Sequence, residues 1–268
     1  MKTVFIGGGN MASAILGGYL AQGFEPSEIA VIERNAERRE QLQRQWGGGM
    51  LVKEHPDQSI EQYDVILMAV KPQDMSEAAR ILAPYLSRNS LIISIAAGIR
   101  LDCLSQWFSG HNRLIRAMPN TPALVGEGIT GLAALSGVTS GDREKAEILL
   151  GSVSQIVWFE KEEELDAVTA VSGCGPAYVF YFIEALDKAA QELGLSPENS
   201  RQLALQTFLG ASRLAAESKH SPAELRIQVT SKGGATEAAL SSLEKHKVNE
   251  LFIDAVKIAA EKSKALGR

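Results

Sequence analysis

The feature that most constrains the fold is a glycine-rich turn near the start of the chain. Gly7-Gly8-Gly9-Asn10-Met11-Ala12 has the pattern G-x-G-x-x-A, follows a short apolar stretch at residues 4–6, and opens a segment with helical periodicity at residues 10–22. In a strand–turn–helix unit, the first glycine permits a tight turn and the second lets the backbone approach a pyrophosphate. The free N–H groups at the helix start then face the phosphates. The pattern predicts a dinucleotide-binding unit.

Apolar stretches alternate with helical segments through residue 161. A charged helix is predicted over residues 36–46, and the predicted strands are residues 29–32, 65–70, 91–95, 113–117, 129–135 and 156–159. Alternating strands and helices are typical of a parallel sheet with helices on both faces. We therefore expect an α/β, Rossmann-like dinucleotide-binding domain over residues 1–161.

The pattern changes at a charge run, residues 160–164. Beyond it, helical periodicity continues through residues 177–193, 197–217, 222–229, 235–245 and 248–266, so residues 162–268 are predicted to form an all-α substrate and dimerisation domain. Residues 176–193 are apolar on more than one side, which favours a homodimer interface, with the central core helix of a monomer as the alternative.

Composition excludes several classes of partner. The 268 residues carry a formal net charge of −5, which gives no electrostatic footprint for nucleic acid or an anionic membrane. The longest apolar runs are far shorter than the roughly 20 residues that span a bilayer. Two cysteines, Cys103 and Cys174, are too few for a disulfide framework, so we expect a cytoplasmic protein. No His or Cys spacing indicates a metal.

The end of the second predicted strand bears on the choice of cofactor. Glu33 stands where an acidic residue holds the ribose 2′-hydroxyl of NAD, whereas Arg34 can accept the 2′-phosphate of NADP. Arg38 and Arg39 add two guanidinium groups, although each alone is better interpreted as part of a solvated helix face. The three arginines favour NADPH, with NADH as the alternative.

Acid–base residues are scarce near the glycine clusters, which suits a substrate such as an imine that needs positioning more than proton transfer. Residues 118–122, 172–176 and 230–236 are the segments that could position it. In the last of these, adjacent glycines leave N–H groups open at a helix start, a site suited to a carboxylate, although an ordinary interhelical turn is the alternative.

These residues resemble the pyrroline-5-carboxylate reductase family over essentially the whole chain. The motifs that carry the resemblance are Phe5-Ile6-Gly7-Gly8-Gly9-Asn10-Met11, Ala69-Val70-Lys71-Pro72, Ala96-Ala97-Gly98, Met118-Pro119-Asn120-Thr121-Pro122, Asp166-Ala167-Val168-Thr169, Ser172-Gly173-Cys174-Gly175-Pro176-Ala177-Tyr178, and Val229 to Thr236. The resemblance implies reduction of the C=N bond of 1-pyrroline-5-carboxylate to L-proline with NAD(P)H. It also implies a homodimer, which in the family is sometimes assembled further.

The resemblance further implies roles for individual residues. The cofactor would be bound by Gly7, Gly8, Gly9, Asn10, Met11, Arg34, Ala69, Val70, Lys71, Pro72, Ile95, Ala96, Ala97 and Asn120. The cyclic imino acid would be bound by Glu162, Gln228, Ser231, Gly233, Gly234, Ala235 and Thr236, with the Thr236 hydroxyl as the catalytic group at the imine nitrogen. The chain departs from the family at Lys232, usually proline, and at Gln228, often asparagine.

Two other classes remain as alternatives, besides another imine reductase. β-Hydroxyacid dehydrogenases share the outline but use a lysine on the first long helix of the second domain, and residues 173–179 contain none. An NAD(P)-sensing regulator would need a partner or DNA surface, which neither charge nor motif suggests.

Overall fold

Eight strands form one sheet in the computed structural model, which describes residues 1–266. The strands are β1 (Thr3–Ile6), β2 (Ile29–Ile32), β3 (Leu51–Lys53), β4 (Val65–Met68), β5 (Leu91–Ser94), β6 (Leu114–Met118), β7 (Gly128–Ala134) and β8 (Ser154–Trp158). They are ordered β3-β2-β1-β4-β5-β6-β7-β8. Every residue of β1, β2, β4 and β5 is buried, as expected for parallel strands covered on both faces.

The sheet separates two apolar cores. Phe5, Leu67 and Ile93 belong to one core, whereas their chain neighbours Val4 and Ile66 belong to the other. Because successive side chains of a strand point to opposite faces, this alternation places one core on each face of the sheet. The covering helices are α1 (Asn10–Ala21), α2 (Ala36–Trp46), α3 (Met75–Leu82), α4 (Leu101–Trp107), α5 (Ser140–Gly151) and α6 (Glu164–Val168).

The sheet is parallel except at one pair of strands. β6 pairs antiparallel with β7, whereas the other neighbouring strands of the sheet pair in parallel. Only a short 3-10 turn, Thr121–Val125, lies between β6 and β7. A parallel pairing would need a crossover of a dozen or more residues, so this short connection forces the reversal. The predicted Rossmann-like fold is confirmed, with this one departure from a fully parallel sheet.

The chain divides into two compact units. The first contains residues 1–174 and the end of the last helix from Ala259, and the second is Gly175–Ile258. The helices after residue 174 are α7 (Gly175–Glu192), α8 (Pro197–Glu217), α9 (Pro222–Gln228), α10 (Ala235–Lys245) and α11 (Val248–Leu266). A π-helical turn, Thr169–Gly173, lies directly before Cys174.

Serine caps mark two helix starts of the second unit. The Ser196 side chain accepts a hydrogen bond from the Asn199 N–H at the start of α8. At the start of α9, Ser221 and Glu224 form the reciprocal capping box expected from their spacing.

No helix within residues 1–266 is long and apolar enough to cross a membrane.

The second unit leaves large apolar side chains uncovered. Phe180 and Tyr181 of α7 are 59% and 68% exposed, and no residue of this helix is buried. On another part of α7, Phe182 packs edge-on against Phe252 of α11, with ring centroids 5.6 Å apart. The helix therefore contacts its own unit and still presents aromatic side chains outward.

Candidate active site

The residues predicted to bind the cofactor follow strands that end at one edge of the sheet. Ile6 is in register with Ile32 and Met68, and Met68 is in register with Ser94, all in parallel. The turns after β1, β2, β4 and β5 therefore meet at the carboxyl edge, where open α/β sheets bind ligands.

The glycine turn after β1 has the geometry that a pyrophosphate requires. Gly7 has φ of +99°, and a Cβ at this position would lie 2.7 Å from the Ala69 carbonyl oxygen. Its N–H donates to the Ile32 carbonyl, 2.8 Å away. A Cβ at Gly9 would meet open space, so backbone is accessible directly before Asn10, where α1 begins. The described residues thus fit a dinucleotide at this turn.

A cavity of about 410 Å³ lies beside this turn. Six of the predicted cofactor residues line it: Gly7, Gly9, Arg34, Ala69, Val70 and Lys71. Gly8, Asn10, Met11 and Pro72 lie within two positions of those six in the chain without lining the cavity, and Ile95, Ala96, Ala97 and Asn120 lie outside its lining. The cavity is therefore the part of the edge nearest β2, where an adenosine would bind.

Part of the cavity wall was not predicted from the sequence. Glu54, His55 and Pro56 follow β3, and Ala78 and Ile81 belong to α3. Strand β3 has only three residues, none of them buried, so it lacks the apolar run that marked the other strands. Its pairing with β2 is what brings residues 54–56 to the site.

Glu33 points its carboxylate at the glycine turn. One oxygen accepts a hydrogen bond from the Gly8 N–H at 2.7 Å, and the other accepts from the Asn35 N–H at 2.8 Å. The carboxylate therefore lies at the end of β2 beside the cavity, where an acidic residue can accept from ribose hydroxyl groups.

Arg38 and Arg39 are not a solvated helix face, and that interpretation of the sequence was wrong. Arg38 donates to the Gly8 carbonyl at 2.5 Å and to the Ser13 hydroxyl at 2.7 Å. Arg39 donates to the carbonyl oxygens of Glu33 and Arg34, at 2.8 and 2.7 Å. Both guanidinium groups fix the backbone around the site, which leaves Arg34 as the arginine that lines the cavity.

Arg34 is held by a partner from α3. Its Nη2 atom lies 3.1 Å from Oε1 of Glu77, and the two side chains are 53% and 58% exposed. Since Arg34 follows β2 and Glu77 lies in the first turn of α3, the pair bridges two elements whose residues line the cavity.

Asn120 and Glu162 already have partners inside the first unit. The Asn120 side chain is buried, and its Oδ1 accepts a hydrogen bond from the Ile129 N–H at 3.0 Å. Glu162 accepts from Arg116 Nη1 at 3.0 Å and from the Leu101 N–H at 2.8 Å. These bonds attach the loop after β6 to β7, and the segment before α6 to the start of α4.

Arg116 is the centre of a buried ionic cluster that sequence reasoning missed. The side chain is 1% exposed, and its Nη2 lies 3.6 Å from Oδ1 of Asp166. Asp166 also accepts from Arg100 Nη2 and from the Ser263 hydroxyl, each at 3.1 Å. The signal was a single arginine inside an otherwise apolar strand, together with the acidic run at residues 160–164.

The predicted substrate residues of the second unit lie in and around the turn between α9 and α10. Gly233 has φ of +74°, and its N–H donates to Oε2 of Glu237 at 2.7 Å. The Gly234 N–H donates to the Ser231 carbonyl at 3.0 Å. Ala235 and Thr236 are exposed residues that begin α10. Gln228, the last residue of α9, and Lys232 are exposed as well.

Comparisons with known proteins identify the class. Residues 162–266 match the family described as pyrroline-5-carboxylate reductase dimerisation, and residues 2–98 match NADP oxidoreductase, coenzyme F420-dependent. A pyrroline-5-carboxylate reductase of Pseudomonas aeruginosa is 40% identical over 99% of this chain and 96% of its own length. One of Arabidopsis thaliana is 38% identical over 100% of this chain and 96% of its own length.

Solved structures agree with these matches. A pyrroline-5-carboxylate reductase from Coxiella burnetii has a TM-score of 0.93 at 37% identity, covering 100% of this chain and 98% of its own. The Plasmodium falciparum pyrroline carboxylate reductase with NADP bound has a TM-score of 0.87 at 32% identity, with the same coverage. Prephenate dehydrogenase from Aquifex aeolicus, 14% identical with a TM-score of 0.55, shares the fold alone.

Fold and site thus define an NAD(P)H-dependent oxidoreductase with a Rossmann-like N-terminal part and a helical C-terminal part. The chain belongs to the pyrroline-5-carboxylate reductase family, and the resemblance noted in the sequence is confirmed.

Proposed function

We propose that this chain reduces the C=N bond of 1-pyrroline-5-carboxylate with NAD(P)H and so forms L-proline, the last step of proline biosynthesis. The observation that carries the proposal is the glycine turn after β1, with backbone open at Gly9 beside the cavity. Relatives that carry the reductase name over nearly their full length support it. A β-hydroxyacid dehydrogenase is disfavoured because residues 173–179 contain no lysine.

The first unit would hold the cofactor, which supplies a hydride when bound. We assign the pyrophosphate to Gly7, Gly8, Gly9, Asn10 and Met11, and the adenosine side to Arg34. Ala69, Val70, Lys71 and Pro72 would line the dinucleotide further along the strand edge, with Ile95, Ala96, Ala97 and Asn120 towards the nicotinamide.

The turn before α10 would bind the substrate carboxylate. An N–H group of this turn already binds a carboxylate, because the Glu237 side chain accepts a hydrogen bond from the Gly233 N–H. The N–H groups of Ala235 and Thr236 have no acceptor among the described residues, so they remain as donors at this turn. Ser231, Gly233 and Gly234 would shape this turn, with Glu162 and Gln228 as further residues of the substrate pocket.

The Thr236 hydroxyl would hold the proton at the imine nitrogen, directly or through water. We expect T236A to lower kcat/KM for the cyclic imine by about 100-fold, the usual scale for a positioned proton-transfer group. NADPH affinity should stay unchanged. T236S should restore most of the rate, and T230A is the matched control because the Thr230 hydroxyl already donates to the Arg226 carbonyl. A kcat/KM equal in T236A and the unsubstituted enzyme would remove Thr236 from the mechanism.

The second unit would form a homodimer in the cytoplasm. The support is the match of residues 162–266 to a dimerisation family and the exposed aromatic face of α7, including Phe180 and Tyr181. The dinucleotide-binding domain would end at residue 161, and the dimerisation domain would begin at residue 162, where that match begins. Light scattering after gel filtration measures the assembly directly, and a monomeric mass would exclude the dimer.

A further inference from the structure

The adenosine end of the cavity carries more acidic than basic side chains. Glu33, Glu54 and Asp74 line it together with Arg34 and Lys71. The two neighbouring arginines already use N–H donors within the unit, because Arg38 and Arg39 donate to backbone carbonyl groups and to other side chains. Arg34 directly follows Glu33 at the end of β2, so it is the cation at the position that receives a 2′-phosphate.

Arg34 is not a free cation. Its guanidinium donates to the Glu77 carboxylate at 3.1 Å, and Glu33, the residue before it, directs its own carboxylate at the Gly8 N–H. A 2′-phosphate would need to compete with Glu77 for Arg34, whereas a 2′-hydroxyl would not. From this arrangement we propose that Glu77 is a specificity-determining residue, which lowers NADPH affinity relative to NADH by holding the one arginine within residues 1–266 that lines the cavity. The inference rests on the proposed dinucleotide function.

The size of the effect follows from exposure. Both side chains of the pair are more than half exposed, so their interaction is of the order measured for surface ion pairs, about 0.2–1 kcal/mol. Releasing Arg34 should therefore tighten NADPH binding by about 1.4- to fivefold at low salt, and screening should shrink the gain at high ionic strength. NADH has no 2′-phosphate and should gain nothing.

The test is direct binding of NADPH and NADH to E77Q, measured by calorimetry at low and high salt. E40Q is the matched control, because Glu40 forms a comparably exposed pair with Arg44 that lies outside the cavity lining. We expect E77Q to lower the Kd of NADPH by about 1.4- to fivefold with the Kd of NADH unchanged. In an R34A background, E77Q should have no effect on either.

Two results would overturn the inference. One is an NADPH affinity equal in E77Q and the unsubstituted protein. The other is a change of the same size for NADH, which would indicate a general effect on the fold of the site. A protein that binds neither dinucleotide would refute the proposed function itself, so the two failures are distinguishable.

Discussion

The buried cluster around Arg116 leads to a quantitative prediction about stability. Replacing this residue, which is 1% exposed, by methionine (R116M) keeps an unbranched stem and removes the buried guanidinium. Glu162 then loses its ion pair and keeps only the Leu101 N–H. Asp166 is less affected, since it keeps Arg100 and Ser263.

The expected cost follows from these remaining partners. Removing one member of a buried ion pair costs about 3–5 kcal/mol, because the other charge stays buried without compensation. The Glu162 side chain is 17% exposed and Asp166 remains paired, so we expect R116M to lose about 3 kcal/mol of unfolding free energy. The double variant R116M/E162Q also removes the unpaired carboxylate and should recover about 1 kcal/mol or more.

Urea unfolding followed by circular dichroism, at one protein concentration for all variants, measures these differences. R44M is the control: Arg44 and Glu40 are 75% and 71% exposed, and their pair should be worth under about 0.5 kcal/mol. The reasoning is refuted if R116M costs no more than R44M. It is also refuted if the double variant is less stable than R116M alone.

Two further predictions concern glycine and an acidic cap. G7A should destabilise the protein, because Gly7 has φ of +99° and a Cβ there would clash with a backbone carbonyl. G9A should keep its unfolding midpoint, because a Cβ at Gly9 meets open space, yet it should bind NADPH at least about tenfold more weakly. Normal binding by G9A in calorimetry would contradict the pyrophosphate assignment. For Asp142, burial raises the pKa but hydrogen bonds from Arg113 and Thr139 lower it more, so the pKa lies below its ordinary value. The Asp142 carboxylate therefore stabilises the fold above about pH 4, and this stabilisation is lost as pH falls through the folded pKa. The unfolding curves of D142N and the unsubstituted protein should converge in acid. A difference in unfolding free energy that does not change with pH would contradict this.

Regular elements could be predicted where local chemistry marks them. β2 and α2 have the expected bounds because an apolar run ends at a polar segment and Asn35 caps the helix through its side chain. The five helices after residue 174 lie within two residues of their predicted ends, since serine–proline pairs and glycine turns separate the first four of them. β3 was not predicted, because three half-exposed residues at a sheet edge form a strand only through pairing with β2.

Contacts between distant residues could not be predicted in this way. Arg116 and Glu162 are 46 positions apart, and their pairing depends on where the segment before α6 meets the end of the sheet. A lone arginine in an apolar strand signals that some acidic partner exists, because a buried charge is otherwise too costly. It does not indicate which acidic residue of the following run that partner is.

The arginines after β2 show why counting charges overstates the affinity of a site for anions. Three guanidinium groups within six residues favoured NADPH in the sequence, as if each were equally available to a phosphate. The structure assigns Arg38 to the Gly8 carbonyl and Arg39 to the carbonyl groups of Glu33 and Arg34. A guanidinium bound in this way shapes the loop that receives the ligand, and the same donor cannot also serve a phosphate. Discrimination at the 2′-position then depends on one residue, Arg34, and on the competition for it between Glu77 and the cofactor.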